Sequence, residues 1–195
     1  MLFILESSFF RFFLFLNNIN NFKPKKKIYL SPFSNKLCGK FRNSHFKGVL
    51  DVVNRLIEII NPKYIFFGKK DFQQFFLVRE HLKKNKIKTN IIPVKTVRNK
   101  LGVAHSSRNK NLNNKDLILA SYIYKLIKKE KKKFYKKKLS FNLKKLKKNI
   151  KNLGINKIDY IEPLNLSTMK KPNGNKKFNI FIAYYLNGTR LIDNI

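Results

Sequence analysis

The chain has 195 residues, 43% of them hydrophobic and 14% aromatic, which suits one medium domain or two small ones and excludes a wholly disordered protein. Forty-four Lys and Arg against ten Asp and Glu give a formal net charge of +34, and no apolar run reaches the roughly 18 residues that a membrane-spanning helix needs. One cysteine, Cys38, excludes an intramolecular disulfide and a Cys-rich zinc site, and makes a reducing, cytoplasmic setting the expectation.

Residues 1–27 read as a poorly specified leader. The apolar start is interrupted by Glu6, Ser7, Ser8 and Arg11, followed by Asn17, Asn18, Asn20 and Asn21, then Lys25 to Lys27. It has no basic leader and no small-residue cleavage site, so it makes a poor signal peptide. From His45 the pattern sharpens. Val49, Val52, Val53, Leu56, Ile57 and Ile60 recur at helical spacing, and Asp51, Asn54, Arg55 and Glu58 form the opposite stripe. Pro62 ends this helix. Tyr64 to Phe67 predicts a short, fully buried strand of the kind found in parallel sheets. After Gly68-Lys69-Lys70, Asp71 is placed to cap a helix running to about Asn85, with Phe72, Phe75, Phe76 and Leu82 inward and His81 a packing or surface residue and not a ligand. Thr89 to Val94 is a further β-rich run. Helix, strand, helix and strand with short links predict an α/β fold with a parallel sheet.

Thr96 to Asn114 is polar and without periodicity, so it reads as a loop. Asp116 is placed to cap a helix with Leu119, Tyr122, Ile123, Leu126 and Ile127 on one side. Lys125 to Lys151 holds fourteen lysines and one acid, Glu130. Within it, Leu143, Leu146, Ile150 and Leu153 keep an apolar seam, which is the pattern of a solvated helix face. A charge of +34 is the footprint of a nucleic-acid binder. Yet 37 of the 44 basic residues are Lys, although Arg is the better bidentate reader of phosphates and bases. Lys, Asn, Ile and Phe make up more than half the chain, and their codons are wholly or mostly A and T. The charge therefore reads as AT-rich coding at neutral surface positions, and no specific nucleic acid is expected. After Gly154, Lys157 to Ile161 and Phe178 to Leu186 are strand-like, and Asn187-Gly188 is a turn signal. Residues 111–195 thus read as a small α+β domain after the parallel-sheet segment, residues 28–110.

Three stretches carry candidate chemistry. Phe66 to Gln74 is a buried strand running through a glycine turn into a helix, where ligands of open α/β sheets bind and where helix N–H groups and Lys70 meet phosphate. By itself it is also an ordinary βα turn, because no Gly-rich phosphate-loop motif is present. Gly102 to Asn109 sets two hydroxyls beside Arg108, a phosphate-gripping set or a polar loop. Arg42 and His45 precede the first helix and suit an anion, or Ser44 simply caps that helix. Three scattered histidines and ten scattered acids form no metal-site pattern, so no metal-ligating residue is assigned.

Taken together, Arg42-x-x-His45-Phe46-x-Gly48-Val49, Phe67-Gly68-x-Lys70-Asp71-Phe72-Gln73-Gln74, Thr96-Val97-Arg98, Ser106-Ser107-Arg108-Asn109 and Arg190-Leu191-Ile192-Asp193-Asn194 resemble the pantothenate synthetase (pantoate–β-alanine ligase) family, from about residue 28 to the end. The resemblance implies a partial Rossmann-like nucleotide-binding domain followed by the small α+β domain. It implies ATP-dependent condensation of pantoate with β-alanine through a pantoyl-adenylate intermediate, with Mg²⁺ accompanying ATP, and a homodimer or a separate N-terminal half as partner. It puts ATP on Gly68, Lys69, Lys70, Asp71, Val97, His105, Ser106, Ser107 and Arg108. It implies that Lys70 and Arg108 are the charge-stabilising catalytic groups. Pantoate falls to Gln74, with Arg42 and His45 near the substrate pocket.

The departures are Lys69 for the usual Glu, Asn43-Ser44 for Pro-Gly, and His105 where Leu or Met is common. Nothing in residues 1–44 matches the family's first part with its His-x-Gly-His signature, since the histidines are His45, His81 and His105. The expectation is an N-terminally truncated ligase whose chain alone has negligible activity. The alternatives are an inactive or partner-dependent portion of that enzyme, or a polybasic RNA-binding protein.

Overall fold

The computed structural model describes residues 4–5, 22–137, 142–172 and 177–195. Most of the leader, 1–3 and 6–21, lies outside the described residues, as do 138–141 of the lysine-rich run. The chain divides into two compact units, Met1–Lys95 and Thr96–Ile195. This boundary falls ahead of the 110/111 division read from the sequence. The segment between belongs to the second unit because side chains tie it there: Arg98 to Asp193, Arg108 to the Arg190 carbonyl, and Ser121 to the Leu101 carbonyl.

The first unit is a three-stranded parallel sheet in the order β1–β2–β3. Strand β1 (Ile4–Leu5), within the leader, aligns with Phe66 and Phe67 of β2 (Tyr64–Gly68). Strand β2 pairs with β3 (Asn90–Val94) from Tyr64↔Asn90 to Gly68↔Val94. Helices α1 (His45–Ile60) and α2 (Phe72–Lys84) make the crossovers that parallel strands require. The core comprises Ile65 and Phe67 of β2, Leu50, Val53 and Ile57 of α1, and Phe72, Phe75, Phe76, Leu77, Val78 and Leu82 of α2. Burying each such side chain contributes about 2 kcal/mol, which outweighs the modest helix propensity of a Phe-rich segment.

The polar stripe of α1 does not face solvent as its periodicity suggests. Phe22–Tyr29 lies across it. Arg55 donates to the Phe22 carbonyl, and Glu58 accepts from the Lys25 and Lys26 amides at 2.7 and 2.9 Å. Asn54, fully buried, donates to the Lys26 carbonyl at 2.7 Å. His81 of α2, also fully buried, accepts the Tyr29 amide at Nδ1 (3.1 Å). That contact fixes a neutral ring with the proton on Nε2, donated to Asn54 Oδ1 at 3.1 Å. Burial lowers the pKa of His81, and the charge of Glu58 partly opposes it.

The second unit packs α3 (Asn114–Lys137) and α4 (Leu143–Asn152) on an antiparallel sheet of β4 (Ile158–Asn165), β5 (Phe178–Leu186) and β6 (Thr189–Asn194), in that order. Ile123, Ile127, Leu146, Ile150, Phe178, Ile180 and Ile182 form one core cluster. Asn187 and Gly188 both take positive φ, 44° and 72°, as the tight hairpin turn between β5 and β6 requires. Asp116 is not the cap of α3. The Asn113 side chain accepts the Asp116 amide at 2.9 Å and Asp116 returns the bond to the Asn113 amide at 3.2 Å, a reciprocal capping box that starts the helix earlier. Tyr122, expected on the buried side, is 54% exposed. Among the described residues, no helix is long and apolar enough to cross a membrane.

Candidate functional site

In the first unit the carboxyl end of β2 meets the start of α2 at Gly68. Its backbone is ordinary, φ −64° and ψ 129°, so no left-handed geometry demands glycine. A Cβ on Gly68 would meet nothing within 4 Å, so the space above it is open. Gly39 is the opposite case: a Cβ there would lie 1.6 Å from the Ser34 carbonyl oxygen. Lys69–Asp71 form a single 3₁₀ turn leading into α2. Asp71 stands at the N-cap but makes no capping bond, because the preceding turn holds it at φ −92°, ψ 50° instead of the extended geometry a cap needs. Asp71 Oδ2 instead lies 4.0 Å from Lys70 Nζ, and the Lys70 side chain is 12% exposed.

The two glutamines that follow have separate tasks. Gln73 is buried. It donates to the Phe33 and Lys36 carbonyls at 3.0 and 2.7 Å and accepts the Cys38 amide at 3.0 Å, so it fixes the turns over 32–41. Gln74, one position on, is half-buried, and its amide has no hydrogen-bond partner among the described residues. Arg42 is exposed and ends the 3₁₀ helix Leu37–Phe41. His45 opens α1, its ring 5.0 Å from that of Phe46. Ser44 between them makes no side-chain cap and sits at φ 57°, ψ 0°.

In the second unit, a tight turn over 97–105 sets Val97 against His105, whose amide donates to the Val97 carbonyl at 3.0 Å. Arg98 and Ala104 form an antiparallel bridge, and Asn99 Oδ1 accepts the Leu101 and Val103 amides at 3.0 and 2.9 Å. Gly102, at φ 87°, admits no Cβ because the Tyr124 ring lies 2.5 Å from that position. Ser106 then accepts the Arg108 amide at 3.3 Å and starts the 3₁₀ helix Ser107–Asn111. Val97, His105 and Ser107 are exposed. Arg108 is steadied by a 3.1 Å bond from Nη1 to the Arg190 carbonyl, and Arg190 in turn pairs with Asp159 at 2.7 Å.

Sequence reading missed three residues that hold this loop: Arg190, Asp159 and Asp193. The Arg190–Asn194 motif contained the signal, but nothing in sequence spacing says which arginine meets which carboxylate. Burial raises the pKa of Tyr184, beneath Asp193 and Arg98, far above the usual phenol range. Among the described residues no three His, Cys, Asp or Glu side chains cluster to hold a metal ion.

Residues 8–195 match the family model described as Pantoate-beta-alanine ligase. The match starts before residue 28, where the motif resemblance begins; the Phe- and Asn-rich composition of that stretch hides its continuity from motif reading. A pantothenate synthetase of Flavobacterium psychrophilum is 40% identical over 160 residues, covering 80% of this chain and 57% of that protein. One of Thermodesulfovibrio yellowstonii is 34% identical over 191 residues, covering 94% and 68%. Among solved structures, a Francisella tularensis pantoate-beta-alanine ligase complexed with beta-gamma ATP and beta-alanine aligns with TM-score 0.68 and 34% identity, over 90% of this chain and 58% of that one. A Thermus thermophilus pantothenate synthetase aligns with TM-score 0.79 and 26% identity, over 87% and 62%. The chain thus spans little more than half the length of several curated relatives it matches.

Proposed function

The chain belongs to the pantoate-beta-alanine ligase family, and from that membership we propose that it works in the ATP-dependent joining of pantoate to β-alanine. In the first step a pantoate carboxylate oxygen attacks the α-phosphorus of ATP and diphosphate leaves. In the second, the β-alanine amine attacks the acyl carbon of the adenylate, loses a proton, and AMP leaves. No covalent enzyme intermediate forms, so the protein's task is positioning and charge stabilisation.

The observation that carries this reading is the open space above Gly68, with Lys70 beside it where the 3₁₀ turn Lys69–Asp71 leads into α2. A phosphate can approach the Gly68 backbone where any side chain would intrude, and there it meets the positive end of the α2 dipole and an ammonium. In the second unit, exposed Ser107, with Ser106, His105 and Val97 around it, and the steadied guanidinium of Arg108 form the other phosphate-binding stretch. Gln74, with an amide unused by the protein, takes pantoate, and Arg42 and His45 serve the substrate pocket. The Francisella relative, complexed with beta-gamma ATP and beta-alanine, supports both ligands. Mg²⁺ suits a site of this kind, since it binds through one or two carboxylates plus substrate phosphates and needs no protein cage. Asp71 is the carboxylate that would hold it, and the ion would neutralise phosphate charge. A cytoplasmic setting goes with this reading.

The test is pantoate-dependent release of AMP, measured with the chain alone and with the portion of a relative that this chain does not span added in trans. Activity is expected in the mixture and to be lost with Lys70→Ala, while the chain alone has negligible turnover. Lys70-independent turnover would refute the assignment.

A further inference from the structure

We propose that the outward side of α3 and α4 binds single-stranded nucleic acid without sequence preference, independently of the ligase reading. Helix α4 turns Leu146 and Ile150 into the core and leaves Lys144, Lys145, Lys147, Lys148 and Lys151 exposed, with no acidic residue anywhere on the helix. Lysines three and four apart on one helix repel, and no acid relieves them: among the described residues, the ion pair formed within 125–151 is Lys133 to Glu130. On α3, whose Ile123 and Ile127 share the same core cluster, Lys125, Lys128, Lys129 and Lys132 are exposed. A phosphate backbone supplies the missing counter-charge, and counterion release drives its binding.

Two features favour a nucleic acid over a membrane surface. The apolar seam of α4 is already buried, so the helix has no apolar face left to enter a bilayer. Tyr122, 54% exposed with Lys125 Nζ 5.9 Å from its ring centroid, offers a base-stacking platform beside the cationic face. The preponderance of Lys over Arg argues against base readout, and the proposed binding needs none.

The experiment measures binding of a fluorescein-labelled 15-nucleotide uridine oligomer to the full chain across salt concentrations. One variant replaces Lys144, Lys145, Lys147, Lys148 and Lys151 with Gln. A second, with the same net charge, replaces exposed Lys63, Lys83, Lys84, Lys86 and Lys88 of the first unit with Gln. The α4 variant is expected to lose at least about tenfold in affinity at 100 mM salt and to flatten the log–log salt slope by about 3.5, five contacts at about 0.7 each. The first-unit variant is expected to change by less than about threefold, and Tyr122→Ala to weaken binding by at least roughly fivefold, the lower end of what loss of one stacked base costs. Since removing like charges relieves α4, unfolding of the α4 variant is expected at an unchanged or higher temperature. Equal losses in both five-site variants would assign the effect to net charge and overturn the proposal. Binding to phosphatidylserine vesicles that exceeds binding to the oligomer would overturn it in favour of a membrane.

Discussion

Arg98 donates from Nη1 and Nη2 to the two carboxylate oxygens of Asp193, at 2.6 and 2.8 Å, across 95 residues of chain. The same guanidinium reaches the Gly102 carbonyl at 3.0 Å and lies over the Tyr124 ring at 4.5 Å. The pair joins two family motifs, Thr96-Val97-Arg98 and Arg190–Asn194, to each other, and so braces the turn that carries Val97 and His105. Both side chains are largely buried, at 18% and 13% exposed. Removing one therefore strands the other's charge. Asp193→Ala is expected to destabilise the chain by about 3 kcal/mol, read as a shifted urea midpoint. Arg98→Lys is expected to recover little, because an ammonium cannot form the two-pronged pair.

His81 makes stability depend on pH. Its folded pKa lies below the unfolded value of 6.5 because burial disfavours the charged ring. The unfolded chain therefore binds the proton more readily, so the contribution is complete above pH 6.5 and is lost as pH falls through the folded value. Protonation also sets a hydrogen on Nδ1 against the Tyr29 amide and the Asn85 side-chain amide, 3.1 and 3.2 Å away. Melting temperature is expected to fall as pH drops from 6.5 to 5, and the fall to be shallower in His81→Gln. Hydrogen exchange at the Tyr29 amide is expected to accelerate over the same range.

Gly39 and Gly68 are expected to respond in opposite ways to alanine. At Gly39 the new Cβ strikes backbone, the Ser34 carbonyl, and about 3 kcal/mol of stability is lost. At Gly68 the φ of −64° suits alanine and nothing lies within 4 Å, so stability is expected to hold or rise by about 0.5 kcal/mol. ATP affinity is expected to fall all the same, because at the proposed site the methyl group would occupy the phosphates' space. Denaturation and nucleotide titration of the two variants separate these effects.

Ser44 stands at φ 57°, ψ 0°. The left-handed conformation strains any residue with a Cβ. Ser44→Gly is expected to stabilise the chain by about 0.5–1 kcal/mol after the extra unfolded-state entropy of glycine is set against the relief. A urea titration reads this directly.

The regular elements of both units were legible because their signals are local. The Phe72/Phe75/Phe76 face of α2 and the Leu146/Ile150 seam of α4 follow from spacing; Tyr64–Gly68 is the strand the apolar run predicts but is not fully buried, since only Ile65 and Phe67 face the core while Tyr64 is 43% exposed. What stayed hidden depends on distant partners. Asn54 looks like a solvent residue until Phe22–Tyr29 crosses it. Asp71 looks like a cap until a 3₁₀ turn sets its backbone, and β1 is two residues inside a Phe-rich run. The candidate stretches could be named from their motifs, but the division of labour between Gln73, which holds backbone, and Gln74, which has an unused amide, is not written in either residue's identity.

At the proposed site the β2–α2 turn grips ATP through Lys70. An equilibrium ATP titration of the chain, with Lys70→Ala compared against Lys69→Ala, measures this directly. Lys69 is exposed, whereas the Lys70 side chain is folded back beside Asp71. Loss of one charge-assisted phosphate contact removes about 1.5–3 kcal/mol. ATP binding is therefore expected to be at least about tenfold weaker for Lys70→Ala and less than about threefold weaker for Lys69→Ala, at matched unfolding midpoints. Equal effects from the two lysines, or ATP binding untouched by Lys70→Ala, would rule out this role for Lys70.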